Sequence, residues 1–142
     1  MKIFKRYCKT LQLENNPGLI EEYKKLHAMG NAWSEITQGM KDVGIIDMEI
    51  YLDGTTLFMI MDTEQNFDHD KAMKRLASLP RQSEWEAAVS KYQKASVSSS
   101  ANGKWRLIER IFKLDQSIEC KVEEGYIEEI KTVDQLKIEL QL

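Results

Sequence analysis

The sequence predicts an α+β fold in which helices cover one face of an antiparallel sheet. Segments of strand composition and segments of helical periodicity follow each other in the order strand, helix, strand, strand, helix, strand. The Asp53-Gly54 dipeptide marks a tight hairpin between the second and third strands. With 142 residues, of which 42% are hydrophobic, the chain can bury a core of its own. This order is the split βαβ, or ferredoxin-like, arrangement βαββαβ.

Apolar spacing and turn residues define the first strand and helix. Residues 4–13 mix apolar and basic side chains and end at a turn signal, which predicts a strand. Asn16 can cap the helix that follows, and Pro17 suits its first position. Helical spacing then runs through five apolar residues: Leu19, Ile20, Tyr23, Leu26 and Met29. We expect the helix to pause at Gly30 and to resume over residues 33–42.

Two further strands are predicted on either side of the hairpin. Residues 45–52 precede Asp53-Gly54, and residues 55–61 return with apolar side chains at successive positions. Such a run indicates a strand that is buried on both faces, or one whose second face is covered by a partner. Because the helices can cover only one face of the sheet, we expect the other face to pair with a second copy of the chain.

The next segment predicts two helices separated by a proline. Asn66-Phe67-Asp68 opens a helix that continues through Ala77, and Pro80 ends it. Ser83 and Glu86 have the spacing of a capping box, so a further helix is expected to start there and to run to about Lys94.

The end of the chain divides into a loop, a strand and an extension. Residues 96–103 have the composition of a flexible loop, and residues 105–114 are predicted to form the last core strand. Apolar residues alternate again after Asp115. We therefore expect a ferredoxin-like domain over residues 1–114 and a strand-rich extension over residues 115–142.

Composition excludes several classes of protein. Twenty basic and 23 acidic side chains give a net charge of −3, so there is no basic surplus for nucleic acid. No apolar run is long enough to span a membrane. The two cysteines, Cys8 and Cys120, lie far apart and make neither a metal quartet nor a dense disulfide framework, so we expect free thiols in a reducing cytoplasm. Phe67-Asp68-His69-Asp70 contains one histidine, and helix capping explains its acids better than a metal site does.

The most informative spacing joins Tyr23 and His27. Residues four apart in a helix lie on one face, so the phenol and the imidazole are expected one turn apart beside the apolar stripe. A histidine that titrates near neutral pH and a tyrosine hydroxyl can together perform acid–base chemistry on a hydroxylated substrate. The alternative is a half-buried tyrosine and a surface histidine on an ordinary amphipathic helix.

Three tryptophans offer apolar faces on which a sugar can pack. Trp105 is expected to be a core or interface anchor, because it lies on a predicted strand. Trp85 is the better candidate for a binding site, since it follows Glu84 and Arg81 at the start of a helix. Trp33 is a further candidate, although each tryptophan could equally serve the core.

Taken together, these motifs resemble the L-rhamnose mutarotase family over roughly residues 4–114. The resemblance rests on several segments in the same order: Tyr23-Lys24-Lys25-Leu26-His27, Trp33-Ser34-Glu35-Ile36, Ile50-Tyr51-Leu52-Asp53, Leu57-Phe58, Trp85 and Glu109-Arg110-Ile111-Phe112. It implies a ferredoxin-like fold, a homodimer joined through its sheets as a dimeric α+β barrel, and no metal or organic cofactor. The implied enzyme is a cytoplasmic isomerase that interconverts the α and β anomers of a deoxy sugar.

The resemblance also implies roles for individual residues. His27 matches the proton donor of the family, Tyr23 matches a substrate-binding tyrosine, and Trp85 matches one of two tryptophans that line the sugar pocket. Glu84 replaces the other tryptophan and either binds a sugar hydroxyl in its place or simply starts a helix. Met48 replaces a substrate-contacting tyrosine and is a further candidate for substrate binding. These departures leave the acid–base residues in place and alter the sugar pocket. L-fucose or another deoxyhexose is therefore an alternative substrate to L-rhamnose.

Two other functions fit the same scaffold. A haem-binding or small-molecule monooxygenase would use His27 as an axial ligand. A non-enzymatic sugar-binding module would bind a sugar without accelerating anomer exchange, because a fold alone does not determine function. We expect mutarotation, in which His27 donates a proton to the ring oxygen and Tyr23 orients or receives a hydroxyl proton.

Overall fold

A computed structural model describes residues 4–94, 104–114, 118–123 and 126–132. The elements follow in the predicted order, with a second short helix after each of the two main ones. They are β1 (Phe4–Gln12), α1 (Pro17–His27), α2 (Ser34–Asp42), β2 (Ile45–Asp53), β3 (Thr56–Glu64), α3 (His69–Ala77), α4 (Gln82–Ser90), β4 (Arg106–Leu107), β5 (Ile118–Glu123) and β6 (Tyr126–Thr132). The loop expected over residues 96–103 lies outside the described residues. None of the helices in the described ranges is long and apolar enough to cross a bilayer.

The strands form one antiparallel sheet in the order β2-β3-β1-β6-β5, and β4 also pairs with β1. β1 and β3 pair along their whole length, from Phe4 opposite Glu64 to Gln12 opposite Thr56. The α+β, ferredoxin-like prediction is confirmed. β5 and β6 add a hairpin to the sheet, and β6 pairs with the start of β1. The strand-rich prediction for the extension therefore holds over β5 and β6, and residues 133–142 lie outside the described part of the chain.

Helices α1 to α4 pack on the inner face of the sheet. Every second residue of β1 and of β3 lies on the inner face, as the opposed pairs Tyr7 with Met61 and Leu11 with Leu57 show. One half of the core joins this face to α3. The other half joins it to α1, α2 and α4 through buried residues that include Tyr23, Ile36, Trp85 and Val89.

Local signals for two helix starts are confirmed. Asn16 caps α1 through its side-chain oxygen, which accepts a hydrogen bond from the Leu19 amide at 3.2 Å, and Pro17 follows it. The Asp68 carboxylate caps α3 by accepting from the Lys71 amide at 3.2 Å. The position of Asp68 at the start of α3 explains the acidic residues of Phe67-Asp68-His69-Asp70 as helix capping. Among the described residues, no group of three metal-binding side chains occurs.

The capping box expected at Ser83 and Glu86 is wrong. Helix α4 begins at Gln82, after Arg81, whose backbone has φ 64° and whose side chain makes no capping hydrogen bond. Glu86 has other partners, because its carboxylate accepts from Gln82 Nε2 at 3.0 Å and from the Lys104 ammonium at 3.2 Å. The α-helix ends at Ser90, short of the expected end near residue 94.

The last core strand is much shorter than the expected residues 105–114. Only Arg106–Leu107 pairs with β1 as a strand, and the Ile108 amide donates once more to the Cys8 carbonyl. β6 occupies the same edge of β1 over Phe4 to Tyr7, so no room is left there for residues 109–114. Three apolar side chains of that segment are consequently exposed: Ile111, Phe112 and Leu114.

Candidate active site

A cavity of about 340 Å³ lies between the inner face of the sheet and the helices. Its volume falls in the range of about 300–1,000 Å³ that small-molecule sites occupy. The walls are mostly apolar, with several methionine, isoleucine and tryptophan side chains. The polar or ionisable side chains that line it are Lys9, Tyr23, His27, Thr37, Gln82, Glu86 and Gln93. Such a wall can hold the apolar face of a small ligand and position a few of its polar groups.

Helix α1 brings Tyr23 and His27 into this cavity together. Their ring centroids lie 4.2 Å apart, as the four-residue spacing predicts. The His27 ring also contacts Trp85 at 5.3 Å, and Trp85 contacts Trp33 at 5.2 Å. The result is a continuous row of four rings from α1, α4 and the start of α2. All four residues line the cavity, so the structure brings these predicted site residues into one place.

The hydrogen bond of His27 determines which ring nitrogen a ligand can use. Nδ1 lies 2.9 Å from the carbonyl oxygen of Tyr23. A carbonyl oxygen can only accept, so Nδ1 carries a hydrogen and Nε2 is the acceptor of the neutral ring. Burial lowers the pKa of His27, and the hydrogen bond to Tyr23 offsets part of that effect. At neutral pH, His27 is therefore a neutral imidazole with the Nε2 lone pair available.

The Tyr23 hydroxyl keeps its proton. The residue is buried, and burial raises its pKa to about 12, with a smaller raising effect from Glu86. A hydrogen bond with the Gln93 side chain acts in the opposite direction, because it favours the phenolate. A phenol with such a pKa donates and accepts hydrogen bonds at neutral pH, and it is a poor receiver of a full proton.

Trp33 is held in place from outside the cavity. The Arg81 guanidinium lies 4.2 Å from the centroid of the Trp33 ring, a cation–π contact. The same guanidinium pairs with the Glu35 carboxylate at 3.5 Å and, through Nε, with Glu84 at 3.3 Å. These exposed charges fix the orientation of an aromatic wall more than they add to stability.

Comparisons with known proteins identify the family of the chain. The family model described as L-rhamnose mutarotase matches residues 6–114.

The chain belongs to the L-rhamnose mutarotase family.

It is 33% identical over 113 residues to an L-fucose mutarotase of Xanthomonas campestris pv. campestris, covering 80% of this chain and 90% of that protein. It is 34% identical over 105 residues to a Dictyostelium discoideum protein, and this match covers 72% of this chain and 82% of that protein. Among solved structures, an L-rhamnose mutarotase from Formosa agariphila superposes with a TM-score of 0.57 at 21% identity. That match covers 78% of this chain and 98% of the other. The structural likeness supports the same fold.

Met48 and Glu84, the two positions where this chain differs from the family motif, lie in different surroundings. Met48, on β2 opposite Met61, lines the cavity. Glu84 is exposed and is not among the described residues that line the cavity, and its carboxylate pairs with Arg81. Its position at the start of α4 suits a negative charge.

Most of the residues that line the cavity were not assigned to the site from the sequence, and Lys9, Gln93 and Trp105 are examples. Lys9 and Gln93 are both buried, and Trp105 packs against both halves of the core while also lining the cavity. The sequence did contain a signal for Lys9. It lies two residues from both Tyr7 and Leu11 on β1, so the strand period places it on the same inner face as these two side chains. For Gln93 no such signal exists, since it follows the end of α4.

Proposed function

We propose that this protein is a deoxyhexose mutarotase that interconverts the α and β anomers of L-rhamnose or L-fucose. Family membership makes it an isomerase that acts on carbohydrates. The relative from Xanthomonas campestris supports L-fucose, and the family model supports L-rhamnose. The observation that carries the proposal is the row of Tyr23, His27, Trp85 and Trp33 along one cavity of suitable size. The comparisons favour neither a monooxygenase nor a sugar-binding module.

The reaction needs one group that accepts a proton and one that donates a proton. Ring opening removes the proton of the anomeric hydroxyl, and the electron pair of that O–H bond forms the new carbonyl. The bond between the anomeric carbon and the ring oxygen breaks, and the ring oxygen takes both its electrons and a proton. Rotation of the carbonyl and the reverse steps then give the other anomer. Positioned side chains can accelerate both proton transfers.

His27 is proposed to be the acid–base residue. The sequence suggested that His27 donates to the ring oxygen, but a neutral imidazole could donate only through Nδ1, which already binds the Tyr23 carbonyl. We therefore assign His27 Nε2 as the acceptor of the anomeric proton in ring opening and as its donor in ring closure. Tyr23, which retains its proton, orients a sugar hydroxyl, while Trp85, Trp33 and Met48 provide the apolar wall.

Exchange NMR of L-rhamnose and L-fucose tests this proposal. The variant His27→Asn is the sharpest one, because its amide nitrogen is as many bonds from Cα as Nδ1 and can still donate to the Tyr23 carbonyl. It lacks any counterpart of Nε2. We expect the catalysed exchange rate to fall by about 10²–10⁴-fold, the usual contribution of a general acid–base residue.

The matched control is His69→Asn, which changes the other histidine. His69 lies on α3 with Nδ1 3.0 Å from Asp70, and it does not line the cavity. We expect its exchange rate to equal that of the wild type. Full activity in His27→Asn would exclude His27 as the acid–base residue, and no acceleration of either sugar by the wild type would refute the mutarotase itself.

We also propose a homodimer that pairs two sheets through their outer faces. The outer face carries apolar side chains that the helices do not cover, among them Cys8, Tyr51, Phe58 and Ile60. A sedimentation mass of two chains is expected, and a mass of one chain would refute it. Residues 1–114 are proposed as the mutarotase domain, in agreement with the matched residues 6–114, and residues 115–142 as an extension. A cytoplasmic location remains a prediction of the sequence.

A further inference from the structure

A buried lysine lines the cavity on the sheet side. Lys9 is only 3% exposed and lies on the inner face of β1, opposite Met59. With the other described residues its ammonium makes neither a hydrogen bond nor an ion pair. Lysine is seldom buried without a partner, because the charge loses its hydration and gains nothing in return. A residue kept at such a cost inside a binding cavity suggests a role toward the ligand.

We propose that Lys9 is a second catalytic residue, whose ammonium gives a proton to the ring oxygen of the sugar while His27 accepts the anomeric proton. This inference rests on the proposed mutarotase function and assigns the donor that the reaction requires. The two groups come from different walls of the cavity, since Lys9 belongs to the sheet and His27 to helix α1. Ring opening acts on two oxygens of the substrate, so donor and acceptor must approach it from different directions.

Tyr23 is a poor candidate for this second role. Its ring lies 4.2 Å from the His27 ring on the same face of α1, so it approaches the sugar from the side that His27 already occupies. Its hydroxyl is also a very weak acid, with a pKa of about 12. Glu86, the acidic residue among the described cavity-lining residues, binds the Lys104 ammonium at 3.2 Å.

The protonation states at rest suit the proposed step. Burial lowers the pKa of Lys9 to about 8, against a raising effect of Asp70, so at pH 7 it is mostly an ammonium that gives up a proton readily. His27 is neutral at the same pH. Ring opening then leaves an imidazolium and a neutral amine, and ring closure restores both. Asp70 and His69 of α3 interact electrostatically with Lys9, and the other titratable groups that line the same cavity are Glu86 from α4 and Tyr23 and His27 from α1.

Exchange NMR with three variants tests the proposal. Lys9→Met replaces the ammonium by an apolar group of similar length in a wall that already contains methionines. Lys9→Ala leaves space for an added amine. Lys5→Met is the matched control, because Lys5 is on the same strand and face but donates to the Phe67 carbonyl and does not line the cavity.

We expect Lys9→Met to lower the catalysed exchange rate about a hundredfold or more, and Lys5→Met to leave it unchanged. The wild-type rate should fall above about pH 8 as Lys9 loses its proton, and this limb should be absent from the residual activity of Lys9→Met. Ethylammonium should restore part of the rate of Lys9→Ala and none of Lys9→Met. If Lys9 had a purely structural role, Lys9→Met would keep the fall in rate above pH 8, and ethylammonium would not restore the rate of Lys9→Ala.

The possible failures are distinguishable. A wild type that accelerates the exchange of L-rhamnose or L-fucose, with Lys9→Met equally active, would overturn the role of Lys9 and leave the mutarotase intact. A lowered rate without rescue and with an unchanged pH profile would also overturn it. A wild type inactive on both sugars would overturn the proposed function and this inference with it.

Discussion

Replacing Lys9 by methionine should make the protein more stable. The lysine side chain lies in an apolar wall with Met48, Met59 and Met61, where a charge loses its hydration. Burial lowers the pKa of Lys9 from its ordinary value of 10.5 to about 8. A lowered pKa means that the folded state binds this proton less tightly than the unfolded chain does. Protonation therefore favours unfolding at every pH where the unfolded lysine is charged.

The size of the gain follows from the pKa. Lowering the pKa from 10.5 to about 8 costs about 3 kcal/mol of unfolding free energy, at about 1.36 kcal/mol per pKa unit. The whole cost is present below about pH 8. Between pH 8 and 10.5 the folded protein has released the proton that the unfolded chain still binds, so the stability of the wild type rises with pH. Lys9→Met should thus be more stable by about 3 kcal/mol at pH 7 and by about 1 kcal/mol at pH 9.5.

Urea unfolding at these two pH values measures the difference, at one protein concentration because the proposed dimer would add a concentration dependence. As a control, Lys5→Met removes a hydrogen bond of 2.9 Å to the Phe67 carbonyl and should lose about 1 kcal/mol. A Lys9→Met variant less stable than the wild type at pH 7 would refute the reasoning. So would an equal gain at both pH values, since it would show that packing and not charge is responsible.

Three further predictions concern stability, each measured by urea unfolding. Lys104→Met should cost about 3 kcal/mol, because it leaves the mostly buried Glu86 carboxylate without the ammonium that binds it at 3.2 Å; a cost below about 1 kcal/mol would contradict this. Asp68→Ala should cost about 1 kcal/mol by removing the cap of α3, and Asp68→Asn, which can still accept, should restore most of it. Gly54→Ala should cost about 1–2 kcal/mol through its φ of 61° alone, since no atom would lie within 4 Å of the added Cβ; unchanged stability would contradict this reasoning.

Much of the fold could be predicted because its signals are local. Asn16 before Pro17 starts α1, and Asp53-Gly54 turns β2 into β3, each through backbone preferences of a few neighbouring residues. The segment over residues 105–114 shows the opposite case. Its composition suits a strand, but strand formation depends on a free edge, and β6 takes part of the edge of β1. Competition between segments distant in sequence does not appear in the composition of either.

The site also contains some residues whose positions follow from local sequence and others whose positions depend on tertiary packing. Tyr23 and His27 could be placed together because the helical period alone determines their relative position. Trp85 reaches them from α4 only through tertiary packing, and its place was expected from the family resemblance. Gln93 lies beyond the end of α4, where no period applies, so its contact with Tyr23 could not be anticipated. Residues outside regular elements need the structure.

Two polar groups in the cavity lack partners among the described residues. One is the Lys9 ammonium, and the other is the Gln93 side-chain oxygen, which is fully buried. His69 Nε2 is equally buried and unpartnered, but it lies outside the cavity, so an unsatisfied group alone does not mark a site. The Lys9 ammonium and the Gln93 oxygen differ from His69 Nε2 because a ligand in the cavity can reach them. A sugar offers a hydroxyl to donate to Gln93 and oxygens to accept from Lys9, and binding would recover part of what burying these groups costs the empty protein.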